Sequence, residues 1–264
     1  MKKYFVIGNP INHSLSPKLH NYWIKKNSIN AIYEKKKLNL DDLKNLVLNI
    51  KKKEINGINV TVPFKKEIIP YLDKLSPEAQ STQSVNTISL NNDEIIGYNT
   101  DIDGFEFGIK DLGISLKNKQ IFILGAGGVV PSIIFALYKM KVSKITVCNR
   151  TKNKAENLKK LFNNIKISEW GNVPNFDMII NATSVGLNRT EKLNLDLSNV
   201  GQNKIFYDVI YNPSETNFLE TARKKGNMAE NGKKMFIYQA RAAFKLWHGI
   251  EPEVNTELEK LLEK

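Results

Sequence analysis

Short apolar runs alternate with amphipathic stretches from one end of the 264-residue chain to the other. That alternation selects βα units and mostly parallel sheets, because two parallel strands can be joined only through a crossover, usually a helix. Residues 4–8 read as a strand. Ser16-Pro17 then opens a helix, with serine as its N-cap and proline at its first position. Ala31–Lys37 is a second strand, residues 41–51 a lysine-rich amphipathic helix, and residues 57–62 a third strand ended by Pro63. Residues 85–90 and 94–99 flank Asn91-Asn92, the turn of a hairpin. From Asp101 a helix carries Ile102, Phe105, Ile109 and Leu112 on one face and stops at Gly113.

A second run of the same kind follows. Gln120–Leu124 is a strand, Gly125-Ala126-Gly127-Gly128 a glycine turn, and residues 129–140 a helix. Lys144–Cys148 is the next strand, with a helix from Thr151, and residues 176–180 and 204–208 are further strands. Helices over 232–247 and 254–263 close the chain. The fold class expected is therefore α/β in two domains. One spans residues 1–101 and regains 236–264, since a helix as apolar as 235–247 needs a partner surface. The other, over 102–235, is of the Rossmann nucleotide-binding type, with an active-site cleft expected between the two.

Composition narrows the function classes. The chain has 41% apolar residues, enough for substantial cores. Its N-terminus breaks at Gly8 and Pro10, too soon for a signal peptide, and no apolar stretch approaches membrane-spanning length. A lone cysteine, Cys148, excludes an internal disulfide and reads as a small buried hydrophobe. A cytoplasmic protein without a membrane partner is expected. The net charge of +12 invites a nucleic-acid reading. Yet the arginines are only Arg150, Arg189, Arg223 and Arg241, and the lysines are spread along an asparagine-rich chain without interleaved aromatics. A small anionic molecule is the better partner for such charge, and no nucleic acid is expected.

The glycine turn suits a dinucleotide. Without Cβ atoms the backbone can approach a pyrophosphate closely, and the following helix directs free N–H groups at it. Gly125, Ala126, Gly127 and Gly128 fit this role, although the third glycine of the usual spacing is Val130 here. At the end of the next strand an NAD site would carry an acidic residue for the ribose hydroxyl. This chain has Asn149-Arg150-Thr151, then Lys154 one turn into the helix. Arg150 and Lys154 can meet a 2′-phosphate, so the expected cofactor is NADP.

Three segments of the first domain carry unusual polar residues: His13-Ser14-Leu15-Ser16-Pro17, Asn59-Val60-Thr61-Val62-Pro63-Phe64-Lys65 and Asn99-Thr100-Asp101. Lysine in a first helical turn, as at Lys65, opposes the helix dipole. Together with Asn9-Pro10 and Val85-Asn86-Thr87, these segments resemble shikimate dehydrogenases. The likeness continues through Gly125-Ala126-Gly127-Gly128, Asn149-Arg150-Thr151 and Asn181-Ala182-Thr183-Ser184-x-Gly186. Asp208-x-x-Tyr211, Gln239-Ala240 and Trp247-His248-Gly249 complete it, in the family's order from end to end.

The resemblance implies NADPH-dependent, reversible reduction of 3-dehydroshikimate to shikimate, with the first domain binding substrate. It implies Lys65 and Asp101 as the catalytic pair. Ser14, Ser16, Thr61, Asn86 and Gln239 would hold the substrate, with Tyr211 nearby, while Thr183 and Gly232 would join the cofactor site. The chemistry is coherent: hydride delivery leaves charge on the ketone oxygen, and Lys65 can donate the proton while Asp101 orients its ammonium. Gln239 falls in helical register with Met235, Ala242, Ala243 and Leu246, so its amide faces an apolar side and needs a polar partner.

Some residues depart from the family pattern. Asp101 is followed by Ile102-Asp103-Gly104, which makes Asp103 a rival carboxylate, and Lys233-Lys234 replaces the usual leucine and glycine. His13, His20 and His248 lie far apart and lack metal-ligand spacing, so no metal is expected. A quinate/shikimate dehydrogenase of broader range and a non-catalytic NADP-binding regulator remain as alternatives. A monomer or a homodimer is compatible with the sequence.

Overall fold

The structure is a computed structural model that describes residues 1–188 and 190–263. It divides into two compact units, Met1–Gly104 with Ile237–Lys264, and Phe105–Phe236.

The first unit is built on a six-stranded sheet. Its elements are β1 (Lys2–Gly8), α1 (Ser16–Lys26), β2 (Ala31–Lys37), α2 (Leu43–Lys51), β3 (Gly57–Val60), α3 (Phe64–Glu67), β4 (Lys74–Leu75) and α4 (Pro77–Thr82), followed by β5 (Thr87–Asn91) and β6 (Glu94–Tyr98). The strand order is β2-β1-β3-β5-β6-β4. β1 runs parallel to both β2 and β3, whereas β5 pairs antiparallel with β3 and β6. One face is covered by α2, whose Leu43, Leu46, Val47 and Ile50 join Ile7, Ile58 and Ile88 in an aliphatic core. Elsewhere the core is aromatic: Trp23 and His20 of α1 meet Phe244 of the long helix α9 (Lys233–His248). Trp247 of α9 donates from its indole N–H to the Ile88 carbonyl at 3.1 Å. The last helix, α10 (Thr256–Glu263), returns to α1, where Tyr22 donates to Glu257 at 2.8 Å.

The second unit holds β7 (Gln120–Leu124), α6 (Val130–Lys139), β8 (Lys144–Cys148), α7 (Lys152–Leu161), β9 (Ile165–Ser168), β10 (Met178–Asn181), β11 (Ile205–Asp208), α8 (Asn217–Lys224) and β12 (Met228–Asn231). Helix α5 (Asp101–Asp111) precedes them, and the unit boundaries fall inside α5 and α9. All pairs in this sheet are parallel, in the order β12-β11-β10-β7-β8-β9. Strands β7, β8 and β9 run outward in one direction and β10, β11 and β12 in the other, as in a doubly wound dinucleotide fold. The strands are apolar along their length because both faces are covered: Phe122, Leu124, Met178, Ile179 and Cys148 are 3% exposed or less. Among the described residues no helix is long and apolar enough to cross a membrane.

Several local expectations need correction. Ser16 is the first residue of α1, not its cap; Leu15 holds the cap position and no side chain caps the helix. β3 ends at Val60, so Thr61 and Val62 lie beyond the sheet, and α2 begins at Leu43 after a single 3-10 turn over Leu40–Asp42. The hairpin turns at Asn92-Asp93, both left-handed at φ 48° and 62°, one residue later than the spacing suggests. Leu246 is 41% exposed and does not share the buried face of α9. The short elements β4, α4, β9 and β12 carry too little periodicity to be read from sequence.

His20 is wholly buried, and among the described residues neither ring nitrogen has a hydrogen-bond partner. Its ring stacks on Tyr33 at 4.2 Å and 2°. Burial pushes its pKa down from 6.5 to about 3, with His248 adding a like-charge contribution. The unfolded chain binds this proton below pH 6.5 while the native state refuses it, so stability is lost as pH falls through that window. Replacing His20 with Phe keeps the stacked ring and removes the titration. Its unfolding free energy, measured by urea between pH 6.5 and 4, is expected to fall less steeply than wild type by about 1.4 kcal/mol per pH unit. Parallel curves for the two proteins would refute the assignment.

Candidate active site

The sequence Asn59 to Lys65 converts a strand end into a rigid mount. Thr61 N–H bonds the Ile7 carbonyl at 2.9 Å, and Phe64 N–H bonds the Thr61 carbonyl at 2.9 Å. Phe64 and Ile68, one helical turn apart, are buried at 1% and 0% exposure. The Lys65 carbonyl accepts from Val85 N–H at 2.9 Å. The lysine is thus fixed at its backbone by core residues on one side and by the segment leading into β5 on the other.

Lys65 Nζ donates to Asp101 Oδ2 in an ion pair whose side chains are only 12% and 9% exposed. Removing two charges from water is costly unless the remaining oxygens are satisfied. Here Asn86 Nδ2 donates to Asp101 Oδ1 at 2.9 Å. Asn86 is itself gripped, because Thr100 N–H donates to its Oδ1 at 2.7 Å. Its amide also reaches Gln239 Oε1 at 3.4 Å. Lys65, Asp101, Asn86 and Gln239 thus form one connected group within the first unit. Asp103 lies two residues further along α5, about 200° around the helix axis from Asp101; the ion pair of Lys65 is with Asp101.

Ser16 is buried without a capping duty, and its N–H donates to Ser14 Oγ at 3.3 Å. Ser14 and Thr61 are half-buried on the loops that follow β1 and β3. These strands are parallel neighbours, so both loops leave the sheet at the same edge. Tyr211 belongs to the second unit, where its ring stacks on Phe236 at 4.4 Å.

In the second unit the glycine turn follows β7, at the point where the strand order reverses. Gly125 has φ +111°, and a Cβ there would lie 2.7 Å from the Ala182 carbonyl oxygen, so only glycine fits. Its N–H bonds the Cys148 carbonyl at 2.8 Å, tying the turn to the end of β8. Gly127 and Gly128 are exposed, and helix α6 has no side-chain cap. Val130, at the position of the missing third glycine, is fully buried as the first residue of α6.

At the end of β8, Asn149 Nδ2 donates to the Thr151 carbonyl at 2.8 Å, and Thr151 holds the cap position of α7 without a side-chain cap bond. Arg150 and Lys154 are exposed, and among the described residues no carboxylate pairs with either. The donor set therefore fits a phosphorylated dinucleotide: an uncapped helix start beside exposed glycines, and two unpaired cations after the next strand.

Asp208 organises the loop after β10. It is fully buried and accepts from Asn181 Nδ2 at 3.1 Å, Thr216 Oγ1 at 2.7 Å and Ile210 N–H at 3.0 Å. Desolvation pushes its carboxyl up to about 6, with these donors opposing the rise. Asn181 Oδ1 in turn accepts from the Thr183 hydroxyl at 2.7 Å, and Thr183 Oγ1 from Val185 N–H at 3.1 Å. Gly232 is buried so closely that a Cβ would lie 2.2 Å from the Val209 carbonyl oxygen. Of the two departures that follow it, Lys234 forms an ion pair with Asp111 at 2.6 Å.

Sequence reasoning missed the supporting role of Tyr33, Asn59, Thr87 and Thr100. Asn59, Thr87 and Thr100 stand in segments that carry the family likeness but had no role assigned there, and Tyr33, within β2, gave no such signal. Among the described residues no cluster of three or more His, Cys, Asp or Glu has a geometry to hold a metal.

Comparison with known proteins matches this arrangement along the chain. Residues 6–88 match the family model for the shikimate dehydrogenase substrate binding domain, 108–213 that for shikimate / quinate 5-dehydrogenase, and 234–256 that for the shikimate 5′-dehydrogenase C-terminal domain. A shikimate dehydrogenase (NADP(+)) of Pelagibacter ubique is 56% identical over 264 residues, covering all of both chains. A crystal structure of a shikimate dehydrogenase in complex with NADP+ superposes with a TM-score of 0.93 at 34% identity, over 100% of this chain and 95% of that one. The shikimate 5-dehydrogenase of Thermus thermophilus with NADP(H) and shikimate gives 0.90 at 31% identity, over 99% and 98% of the two chains. With family models spanning most of its length and a full-length relative above half identity, the chain belongs to the shikimate dehydrogenase family.

Proposed function

We propose that this protein is an NADP-dependent shikimate dehydrogenase that interconverts 3-dehydroshikimate and shikimate in aromatic amino-acid biosynthesis. The observation that carries the reading is the buried Lys65–Asp101 pair, braced by Asn86 and Gln239, in a chain of this family. The first unit, with the terminal helices, takes the substrate, and the second takes the cofactor. A cytoplasmic enzyme acting on small molecules, with no nucleic-acid partner and as a monomer or homodimer, goes with the same reading.

NADPH, when bound, supplies the hydride; Gly125, Ala126, Gly127 and Gly128 would hold its pyrophosphate. Asn149, Arg150, Thr151 and Lys154 would hold the 2′-phosphate, with Thr183 and Gly232 completing the cofactor site. As charge grows on the ketone oxygen, Lys65 Nζ stabilises it and gives it a proton, so that the carbonyl becomes a hydroxyl. Lys65 is then reprotonated from solvent. In the oxidative direction the same amine, as the free base, takes the hydroxyl proton. Asp101 aims the ammonium, and Asn86 keeps the carboxylate from turning away. Ser14, Ser16, Thr61, Asn86 and Gln239 bind the carboxylate and hydroxyls of the substrate, with Tyr211 contributing from the second unit's sequence.

The assay is direct. The purified protein is expected to reduce NADP+ with shikimate, faster than with quinate and faster than with NAD+. Absence of turnover would leave the regulator alternative, and equal turnover of quinate the broader dehydrogenase. Lys65→Ala is expected to lower kcat by about a hundredfold or more with a much smaller change in the KM for shikimate. Near-normal turnover in that variant would remove Lys65 from the mechanism. Arg150→Ala is expected to raise the KM for NADP+ by about tenfold or more, and that for NAD+ little. Equal effects on both cofactors would contradict a 2′-phosphate site.

A further inference from the structure

Behind the catalytic pair lies a buried chain of polar groups, Tyr33, Asn59 and Thr87, that leads through Asn86 to Asp101. Tyr33, at 1% exposure on the edge strand β2, donates its hydroxyl to Asn59 Oδ1 at 2.7 Å. Asn59 Nδ2 donates to the Asn86 carbonyl at 3.2 Å and to Thr87 Oγ1 at 3.0 Å. The Thr87 hydroxyl lies 3.1 Å from Asn86 Oδ1 and 3.2 Å from Thr100 Oγ1. Asn86 Nδ2 ends the chain on Asp101.

The donor directions follow from groups that can act in only one sense. The Asn86 carbonyl can only accept, so Asn59 must present its NH2 there and its oxygen to Tyr33. The phenol must therefore donate. With a lone pair of Thr87 taken by Asn59, the threonine proton is free to serve Asn86 Oδ1, which leaves the Asn86 NH2 facing Asp101. A reversed Asn86 would set its carbonyl against the carboxylate and turn its NH2 towards the Thr100 N–H.

Tyr33 is itself clamped by two consecutive residues of α1. His20 lies flat on its ring at 4.2 Å, and the Asn21 amide holds its backbone at both N–H and carbonyl, at 3.0 and 2.8 Å. Since burial keeps His20 neutral, it serves as a stacking plate and not as a charge. We infer that Tyr33 is a positioning residue for the reaction, acting through Asn59 and Thr87 on Asn86 and so on the Asp101 carboxylate that aims Lys65. The inference rests on the proposed function for its kinetic consequence, while the hydrogen-bond chain can be read independently of it.

The experiment compares wild type with Tyr33→Phe, Thr87→Val and the double variant, by steady-state kinetics and by exchange of the Asn86 side-chain amide protons in 15N NMR. Tyr33→Phe strands the buried Asn59 oxygen and is expected to cut kcat by about tenfold. The KM for NADP+ should stay within about twofold, and the Asn86 amide protons should exchange faster. Thr87→Val cuts the same chain one step on and is expected to give the same signature. Because both cuts interrupt one path, the double variant should lose little more than either single one. Wild-type kcat and wild-type Asn86 exchange in folded Tyr33→Phe would overturn the inference, as would losses that multiply in the double variant. If the wild-type protein turns over no shikimate, the functional reading fails, and the amide exchange alone decides this one: unchanged exchange overturns it, faster exchange upholds the chain. Should Tyr33→Phe not fold, Thr87→Val carries the same two outcomes.

Discussion

A lysine and an aspartate held together with little access to water are the constraint around which the first unit is organised. Such a pair persists only if its cost of desolvation is offset by further hydrogen bonds and by a backbone that cannot relax away. The backbone of Lys65 is fixed by Phe64, Ile68 and Val85, and the free oxygen of Asp101 by Asn86. The strands place these groups together: β3 delivers Lys65, β5 follows from Asn86, and β6 runs into Asp101 at the start of α5. The antiparallel pairing of β5 with both β3 and β6 brings the three chain segments side by side. The parallel half of the same sheet, β1 with β2 and β3, brings the serine loop and Thr61 to one edge.

The second unit solves a similar problem with a different group. Among the described residues no cation bonds the buried Asp208 carboxyl, and amide, hydroxyl and N–H donors stand in for the missing charge. Its raised pKa reflects that weaker compensation. What it secures is the loop over Asn181 to Gly186, through Asn181 and Thr183. Both units thus use buried polar side chains to hold a loop at a strand end, which is where α/β folds place chemistry.

Much of this is legible in the sequence where the physical signal is local. The strands Ala31–Lys37, Gln120–Leu124 and Lys144–Cys148 appear with the boundaries their residue patterns predict; in the latter two, fully covered parallel strands need uninterrupted hydrophobic character. The glycine turn is equally local, since φ at Gly125 admits little else. Ser16 misleads because a serine before proline has a strong local use as a cap, and only the tertiary fold shows that the helix starts one residue sooner. The link between Tyr33, Asn59 and Thr87 escapes notice for the opposite reason. Their importance lies in one another, at separations of 26 and 28 residues that no local pattern encodes. The strands β9 and β12 complete the edges of the second sheet, where short segments with mixed burial leave little periodic signal.

Under the proposed function, the Lys65–Asp101 pair is the place where the substrate's oxygen is protonated. A crystal structure of the protein with NADP+ and shikimate measures this most directly. The predicted result is a shikimate hydroxyl oxygen within about 3 Å of Lys65 Nζ, in reach of the Asp101 carboxylate, with its remaining oxygens on Ser14, Ser16, Thr61, Asn86 and Gln239. Shikimate seated on another surface, with the Lys65–Asp101 pair closed upon itself and untouched by ligand, would contradict it.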